Sequence, residues 1–274
     1  MSRKHYTSVA SSLFGKFANR EYPQPFQNMI NRAYVRSMGL DMSRFDTVES
    51  YNSLNKLFTR ALKAMPEFDK NDDVVISPVD ALITDHGKVS QGKAYQIKGM
   101  SYDIEGLLGA NYVQDVKLLE SGSFVNFYLS PKDYHRYHMP FDLQVLSTTH
   151  IPGKLYPVNI PLLKNKPNLF IENERVVLEC MAKDGKKLFM VLVGALNVGK
   201  MKLNFDDRIQ TNASAIETTH YKYDDLHLTK GEMFGWFEMG STIVLFAQNG
   251  FADFDDLQIG QKVTFGDTIG KAVC

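Results

Sequence analysis

The chain has 274 residues, 44% hydrophobic and 23% charged, so it is long enough to bury a full core and is not typical of a disordered protein. Its two cysteines cannot build a disulfide scaffold or a four-ligand zinc site and indicate a reducing compartment. The net charge is zero, but residues 1–65 carry ten Lys and Arg against four Asp and Glu. A basic first quarter indicates an anionic partner, such as a lipid surface or nucleic acid, or simply a solvated basic face.

The start of the chain combines early positive charge with no apolar run of signal-peptide length. The longest strongly apolar stretch, residues 189–196, is much shorter than the ~20 residues that span a bilayer and is typical of a buried strand. We therefore expect any contact with a membrane to be peripheral.

Apolar residues in the segment 25–39 recur at spacings of three and four, which predicts an amphipathic helix. Gly39 stands where a helix C-cap glycine is expected, and Arg32 and Arg36 lie on the opposite face. The apolar positions of this helix are Phe26, Met29, Ile30, Ala33, Tyr34 and Met38.

A second helical pattern covers residues 51–65 and also separates an apolar face from a cationic one. Such helices suit a membrane interface, and ordinary packing on the rest of the domain is the alternative. The apolar positions are Leu54, Leu57, Phe58, Ala61 and Leu62, and the cationic ones are Lys56, Arg60 and Lys63.

From Pro66 onward, short apolar runs alternate with Gly, Pro, Asn and Asp, a pattern that indicates many short strands. The sequence therefore predicts an α+β protein with a helical segment at 1–65 and a β-rich domain at 66–274, similar to a barrel or sandwich. The tail LQIGQKVTFGDTIGKA has the glycine pattern of small barrel-sandwich modules such as lipoyl and biotinyl domains.

Two segments carry candidate acid–base groups. In SPVDALI, Asp80 follows an apolar run, and either a turn role or a buried carboxylate with a partner accounts for it. In YLSPKDYHRYHMP, Asp133 precedes His135 and His138. This pair is compatible with metal ligation, acid–base chemistry or hydrogen bonding in a core. The absence of a further His/Cys cluster disfavours a metal, and titration near neutrality favours acid–base chemistry.

A third segment, EMGSTIVLF, places Ser241 directly before an apolar strand. It lacks the G-x-S-x-G pattern of a hydrolase nucleophile, so a turn before a strand is the simple interpretation. However, Gly240 leaves the preceding peptide bond uncrowded, so that Ser241 can attack its own preceding carbonyl.

Taken together, these three segments resemble the phosphatidylserine decarboxylase family. SPVDALI is similar to its S-P-x-D-G motif, DYHRYHMP to D-Y-H-R-x-H-x-P, and MGST to the L-G-S-T self-cleavage motif. Ala81 replaces the usual glycine of the first motif, and Met239 replaces the usual leucine of the third. The resemblance continues in family order through LNKLFTRALK at 54–63, GLLG at 106–109, IPGKLYPVN at 151–159, NERVVL at 173–178 and VLVGALNVG at 191–199.

The resemblance implies cleavage between Gly240 and Ser241 into a large chain, 1–240, and a small chain, 241–274. Ser241 attacks the Gly240 carbonyl, His138 is the base, and Asp80 orients His138. Elimination and hydrolysis then convert Ser241 into a covalent pyruvoyl group, which implies no pyridoxal phosphate and no metal.

In the implied reaction, the pyruvoyl ketone forms a Schiff base with phosphatidylserine, carbon dioxide leaves, and phosphatidylethanolamine is the product. His135 is implied to reprotonate the α-carbon, with Asp133 tuning the histidine pair. The implied partners are the anionic membrane surface and the other chain of the cleaved precursor, with a homodimer as a further candidate and no nucleic acid. The implied location is the cytoplasmic face of a bacterial inner membrane, as a peripheral protein.

Three alternatives remain open at this point. One is a pyruvoyl decarboxylase for a soluble amino acid, which the basic helical start disfavours. The second is a lipoyl- or biotinyl-like carrier, which would need an exposed modifiable lysine in a hairpin of a type that we do not find. The third is an uncut family member, which the presence of Asp80, His135, His138 and Ser241 disfavours.

Overall fold

The computed structural model describes residues 15–97, 100–196, 200–209, 211, 217–238, 241–254 and 256–273. Residues 15–19 are helical. The further α-helices are α1 (Gln24–Met38), α2 (Leu54–Phe58), α3 (Ile104–Leu108), α4 (Ile160–Asn165) and α5 (Leu169–Glu172). Short 3-10 helices cover Val48–Ser50, Ala110–Tyr112 and Asp115–Leu119.

Sixteen strands form the rest of the described regular structure. They are β1 (Val74–Ile76), β2 (Ala81–Lys88), β3 (Lys93–Ile97), β4 (Met100–Asp103), β5 (Ser123–Leu129), β6 (Arg136–His138), β7 (Leu143–Ile151), β8 (Arg175–Met181), β9 (Lys187–Val193), β10 (Met201–Leu203), β11 (Thr219–Leu228), β12 (Met233–Phe237), β13 (Ser241–Ala247), β14 (Ala252–Asp253), β15 (Lys262–Val263) and β16 (Thr268–Ala272).

The main sheet has eight antiparallel strands in the order β11-β7-β8-β9-β13-β5-β2-β15. Three smaller sheets have the orders β1-β16-β14, β10-β12-β6 and β3-β4. The predicted α+β class is therefore confirmed. The barrel or sandwich detail is not, because the eight-stranded sheet ends in two edge strands, β11 and β15, within the described part of the chain.

The core lies on both faces of the main sheet, and β13 shows why its sequence is apolar at successive positions. Side chains alternate between the two faces of a strand. Ile243 and Leu245 pack in one cluster with β2, β5 and β8 residues, whereas Val244 and Phe246 pack in a second cluster under α3 and α5. A central strand with both faces covered must therefore be apolar throughout.

Helix α1 is confirmed, with Gly39 at its C-cap in the left-handed conformation (φ 63°, ψ 43°). Its buried side differs from the predicted one. Gln27 and Asn31 are buried, and Asn31 donates to the Tyr51 carbonyl oxygen at 2.7 Å. The helix therefore packs through these amides together with the partly buried Ile30, Tyr34 and Val35. Three residues of the predicted apolar face, Phe26, Met29 and Met38, are exposed.

The second predicted helix is much shorter than the pattern at 51–65. Helix α2 covers only Leu54–Phe58, with the Ser53 side chain accepting from the Lys56 N–H as its N-cap. The prediction that Arg60 lies on a solvated cationic face is wrong, because its side chain is only 2% exposed. Arg60 donates to main-chain carbonyl oxygens, so the chain turns inward here instead of continuing the helix.

Residues from both sides of position 65 pack in one small cluster that contains Phe45, Val74, Ile76, Tyr134 and Phe265. The division into 1–65 and 66–274 stays a prediction. Within the described residues, no helix is both long and apolar enough to cross a membrane.

Candidate active site

The site is organised by the segment between β5 and β6. Asp133 closes a tight turn there, because its Oδ2 accepts hydrogen bonds from the main-chain N–H and the hydroxyl of Ser130, both at 2.7 Å. The Asp133 carbonyl oxygen is the hydrogen-bond partner of His135 Nδ1 at 2.8 Å. The aspartate therefore shapes the turn with its carboxylate and orients the imidazole of His135 with its main chain.

His135 is fully buried, and its ring lies 4.0 Å, between centroids, from the ring of Phe58 in α2. Burial, together with the nearby charge of Arg60, lowers the pKa of His135 to about 3. The imidazole is therefore neutral at ordinary pH, and since a carbonyl only accepts, Nδ1 carries the proton. Nε2 is then a bare acceptor, and it has no hydrogen-bond partner among the described residues.

His138 has both ring nitrogens engaged. Its Nδ1 lies 2.8 Å from the Gly231 carbonyl oxygen, which makes Nδ1 the donor, so Nε2 accepts from the Tyr134 hydroxyl at 3.0 Å. The ring stacks on Phe265 with 3.6 Å between centroids. Burial lowers the pKa of His138 to about 4, so this imidazole is also neutral.

Asp80 lies beside this group, but its described hydrogen bonds go to other residues than His138. Its Oδ2 accepts from Arg44 at 2.7 Å, and its Oδ1 accepts from the Phe265 N–H at 2.8 Å. The described hydrogen-bond partners of the His138 ring are Gly231 and Tyr134, and Asp80 holds the main chain of Phe265, whose ring stacks on the imidazole. The orienting role of Asp80 stays a prediction.

Burial raises the pKa of Asp80, and the Phe265 N–H and the Arg44 guanidinium oppose that shift. Ala81, which stands where the related motif has glycine, is the first residue of β2 and pairs with Val263 of β15. It is not among the described residues with positive φ. The turn after Asp80 therefore needs no glycine, and the substitution leaves its backbone unstrained.

We define residues 129–138 as the histidine segment. Two of its main-chain contacts lie on either side of the predicted cleavage position. Upstream, the Phe237 N–H at the end of β12 donates to the His135 carbonyl oxygen at 2.9 Å. Downstream, Ser241 opens β13 opposite Leu129, the residue before the Ser130–Asp133 turn. Met239 and Gly240 lie outside the described residues. The chain before and after the Gly240-Ser241 peptide, at Phe237 and at Ser241, is therefore joined to the histidine segment.

A cleft of about 250 Å³ lies beside this turn, between the end of α1 and residues 132–134. Its lining brings Arg44, Arg60 and Lys132 together with Asp41, Asp80 and Asp133. A larger cavity of about 650 Å³ is lined by other residues, among them Phe68, Phe141 and Phe251, and includes no predicted site residue. The smaller, charged cleft is therefore the one of the two that predicted site residues line, namely Asp80 and Asp133, and neither histidine lines it. In the described part of the chain, no three His, Cys, Asp or Glu side chains are grouped as a metal would require.

Sequence reasoning missed four side chains that touch the predicted residues. Tyr134 lies inside the DYHRYH motif, so its place between two candidate residues was a usable signal. Arg44, Phe58 and Phe265 are distant in sequence from the groups that they contact, and a pattern in one sequence cannot reveal contacts of that kind.

On this α+β scaffold, a tight turn and the two buried neutral histidines after it lie in the segment that follows Leu129, the pairing partner of Ser241, and this arrangement fits a self-processing enzyme. The chain belongs to the phosphatidylserine decarboxylase family, whose model matches residues 54–271. It is 47% identical to a Helicobacter pylori protein named phosphatidylserine decarboxylase proenzyme, over 97% of each chain. Proteins of the same name from Campylobacter jejuni and Marinobacter nauticus are 43% and 34% identical, over 96% of this chain and 98% and 93% of theirs.

Proposed function

We propose that this chain is the precursor of a decarboxylase that converts phosphatidylserine into phosphatidylethanolamine, after cutting itself between Gly240 and Ser241. The observation that carries the proposal is the anchoring of both flanks of this peptide to the histidine segment. Family membership and the proenzyme names of the relatives support it independently.

In self-cleavage, the Ser241 hydroxyl attacks the Gly240 carbonyl carbon, and the peptide C–N bond breaks to leave an ester and a free amine. Serine needs a base for this step, and we assign that role to His138. Since His138 Nε2 already accepts from Tyr134, the serine proton reaches it either directly or through the Tyr134 hydroxyl. Asp80 supports the base through Phe265.

Loss of the Ser241 α-proton then breaks the ester, which leaves Gly240 as the carboxylate end of the large chain. The dehydroalanine that remains at 241 takes up water and releases ammonia, so the new end of the small chain is a pyruvoyl group. The residues present fit such a group, because an enclosed, uncharged imidazole lies next to the strand that carries it. Its ketone supplies the electron-withdrawing centre that stabilises the negative charge left when carbon dioxide departs.

His135 suits the proton transfers of the decarboxylation. The bare Nε2 of a neutral His135 is free to take up a proton, and the low pKa makes the protonated imidazole a strong acid. The same proton can return from Nε2 to the α-carbon after carbon dioxide leaves. A positioned general acid of this kind contributes ~10²–10⁴-fold to a rate. Asp133 holds the tautomer through its carbonyl oxygen.

The charged cleft supports a headgroup with a phosphate as the substrate. In phosphatidylserine only three bonds separate the α-carbon from the phosphorus, so the groups that bind the phosphate must lie close to the reacting atoms. Lys132 is exposed and Arg44 partly so, and both line the cleft beside the Asp133 turn. Cations beside the Asp133 turn suit a phosphate, which phosphatidylserine has and free serine lacks.

The exposed face of α1 supports docking to an anionic membrane. Phe26 and Met29 are 47% and 57% exposed, and Arg32 and Arg36, which the sequence predicted on the opposite face, are exposed beside them at helical spacings of three and four. Exposed apolar residues flanked by arginines suit the interface between headgroups and acyl chains. We propose the inner membrane of a bacterium, on its cytoplasmic side, as the site of docking, and a second copy of the chain stays a candidate partner.

Intact-mass measurement of the purified protein tests self-cleavage. We expect chains 1–240 and 241–274, the second with a blocked N-terminus, and a single intact chain from Ser241→Ala. An active preparation that contains only uncut protein would rule out the proposed chemistry.

The histidine variants test the two roles. His138→Ala should accumulate the precursor, with Asp80→Asn showing the same defect more weakly because it acts indirectly. His135→Ala should still cut but lose turnover. Equal processing defects in both histidine variants would refute the division.

Vesicle co-sedimentation tests docking. Arg32→Glu with Arg36→Glu should weaken binding to anionic vesicles while self-cleavage continues, and rising salt should have the same effect on the unchanged protein. Lys183→Glu, on a distant exposed site, is the matched control. Unchanged binding of the double variant would show that the docking surface lies elsewhere.

A further inference from the structure

Arg60 is a buried arginine that the proposed chemistry does not use. Its guanidinium donates to the carbonyl oxygens of Lys132 at 2.8 Å and Asp133 at 3.3 Å, and stacks on the Phe45 ring with 4.3 Å to the centroid. Burial lowers its pKa, although arginine remains charged. A buried cation without a carboxylate partner in hydrogen-bond contact is costly, so its position requires a reason.

The Asp133 carbonyl oxygen links Arg60 to the histidine segment. It accepts both the Arg60 guanidinium and His135 Nδ1, so the arginine fixes the direction of the acceptor that determines the tautomer of His135. A carbonyl oxygen has two lone pairs, and here both are used. One nitrogen, Nη2, donates to both carbonyl oxygens, while Nη1 lies 3.5 Å from the Leu57 carbonyl oxygen, and a lysine ammonium cannot reproduce this planar arrangement.

The residues just before Arg60 complete the enclosure. Phe58 covers the His135 ring, and the Thr59 carbonyl oxygen accepts from Arg136 Nε at 3.0 Å. Residues 58–60 thus contact the histidine segment on both sides of His135, at Asp133 and at Arg136. We define residues 58–60 as the roof segment.

We infer that Arg60 is a positioning residue for the proposed reaction, because it holds the roof segment and the Asp133 carbonyl so that His135 stays uncharged with Nε2 free to accept a proton. This inference rests on the proposed function. Arg60 is also the charged side chain that lowers the pKa of His135, whereas the Phe58 ring that packs against the imidazole is uncharged.

The first test uses nitrogen NMR of the histidine rings in the uncut Ser241→Ala precursor, which reports charge and tautomer without any turnover. Adding Arg60→Met should raise the His135 titration midpoint by about one pH unit or more, because a nearby positive charge is lost. It should also produce a mixture of tautomers, and Arg60→Lys should keep the charge but still mix the tautomers. An unchanged midpoint and tautomer in Arg60→Met would overturn the inference.

The matched control is Arg175, a second buried arginine that donates to the carbonyl oxygens of Gly106, Leu107 and Ile171 away from the site. Arg175→Lys should lower the unfolding temperature as Arg60→Lys does, but leave the His135 spectrum unchanged. A shift of the His135 spectrum in Arg175→Lys as large as that in Arg60→Lys would mean general loosening and not positioning.

The second test separates kcat from KM in the self-cleaving protein. Arg60→Lys should reduce kcat by about 100-fold with little change in KM, since a misplacement near 1 Å costs that much. If Arg60→Lys has the same kcat as Arg175→Lys, the positioning role is refuted. This comparison does not depend on whether Arg60→Met folds. If the unchanged protein neither cuts itself nor decarboxylates, the proposed function fails, whereas the NMR result on the precursor still decides the role of Arg60.

Discussion

Helix α1 and the segment 54–60 look alike in sequence, since each combines apolar residues at helical spacing with two or more cations. In the structure they differ completely. Phe26 and Met29 of α1 are exposed, while Phe58 and Arg60 are buried against the histidine segment. An amphipathic pattern therefore predicts that a segment has two different faces, but it does not predict which face is buried in the protein core.

The difference follows from what each segment can satisfy. Asn31 of α1 accepts from Gln27 and donates to the Tyr51 carbonyl oxygen, so these amides pack together with Ile30 and Tyr34, while Phe26 and Met29 are exposed. Arg60 instead donates to the main-chain carbonyl oxygens of Lys132 and Asp133, which makes burial of its charge tolerable. The cation of one segment faces water, and the cation of the other is buried against the segment that carries Asp133 and His135.

The largest contrast should come from charge reversal in the two segments. Arg60→Glu places an anion against main-chain carbonyls, and breaking a buried charged network costs about 3–5 kcal/mol, a large part of the stability of an ordinary domain. We expect little folded protein and no self-cleavage. Arg36→Glu on the exposed face should fold and cut normally. Circular dichroism and gel analysis of both variants measure this, and a folded, self-cleaving Arg60→Glu protein would contradict the burial.

Truncating one phenylalanine in each segment gives the next contrast. Phe58→Ala should reduce the free energy of unfolding by about 3–5 kcal/mol, because it leaves a cavity over His135. Phe26→Ala should change it by less than about 0.5 kcal/mol, since an exposed ring loses little. Urea unfolding of the Ser241→Ala precursor measures both. Equal losses would mean that the α1 surface is covered in solution.

The pH dependence of the free energy of unfolding tests whether the His135 and His138 side chains are buried and uncharged. The folded pKa values of about 3 for His135 and about 4 for His138 lie below the ordinary 6.5. The unfolded chain therefore binds protons that the folded chain does not. The contribution of the two histidines to the free energy of unfolding is complete above pH 6.5. It decreases as pH falls toward 4, by about 1.4 kcal/mol per pH unit for each histidine.

Urea unfolding of the Ser241→Ala precursor between pH 7.5 and pH 4.5 measures this slope. His138→Gln should remove about half of the histidine contribution, and the exposed His227→Gln should leave the slope unchanged. If His138→Gln also leaves the slope unchanged, the imidazole is not held neutral by burial.

The smallest effect is expected at the end of the exposed helix. Gly39 has a left-handed backbone (φ 63°), and a Cβ there would meet no other atom within 4 Å. Gly39→Ala should therefore cost only the backbone strain, about 1–2 kcal/mol, and leave self-cleavage and turnover intact. Thermal unfolding measures the cost, and a loss of activity would mean that the α1 terminus contributes to the neighbouring cleft.

Much of the site could be predicted because its reactive groups stand in short contiguous motifs. Asp133, His135 and His138 are within one turn and one strand, so their proximity follows from the chain itself. Helix α1 and the strand after Ser241 were also predictable, since hydrophobic periodicity and a C-cap glycine are local signals. The open sheet was not, because strand pairing joins residues far apart in sequence.

The sequence by itself determined the α+β class, the motif residues and the Gly-Ser peptide, because these depend on local spacing and on chemical groups. Only the tertiary structure decided that Arg60 is buried, that Phe265 stands between Asp80 and His138, and that Phe58 covers His135. Each of these depends on contacts between segments separated by 70 residues or more. The physical reason is that burial and hydrogen-bond satisfaction belong to the packed chain as a whole, whereas periodicity belongs to a segment.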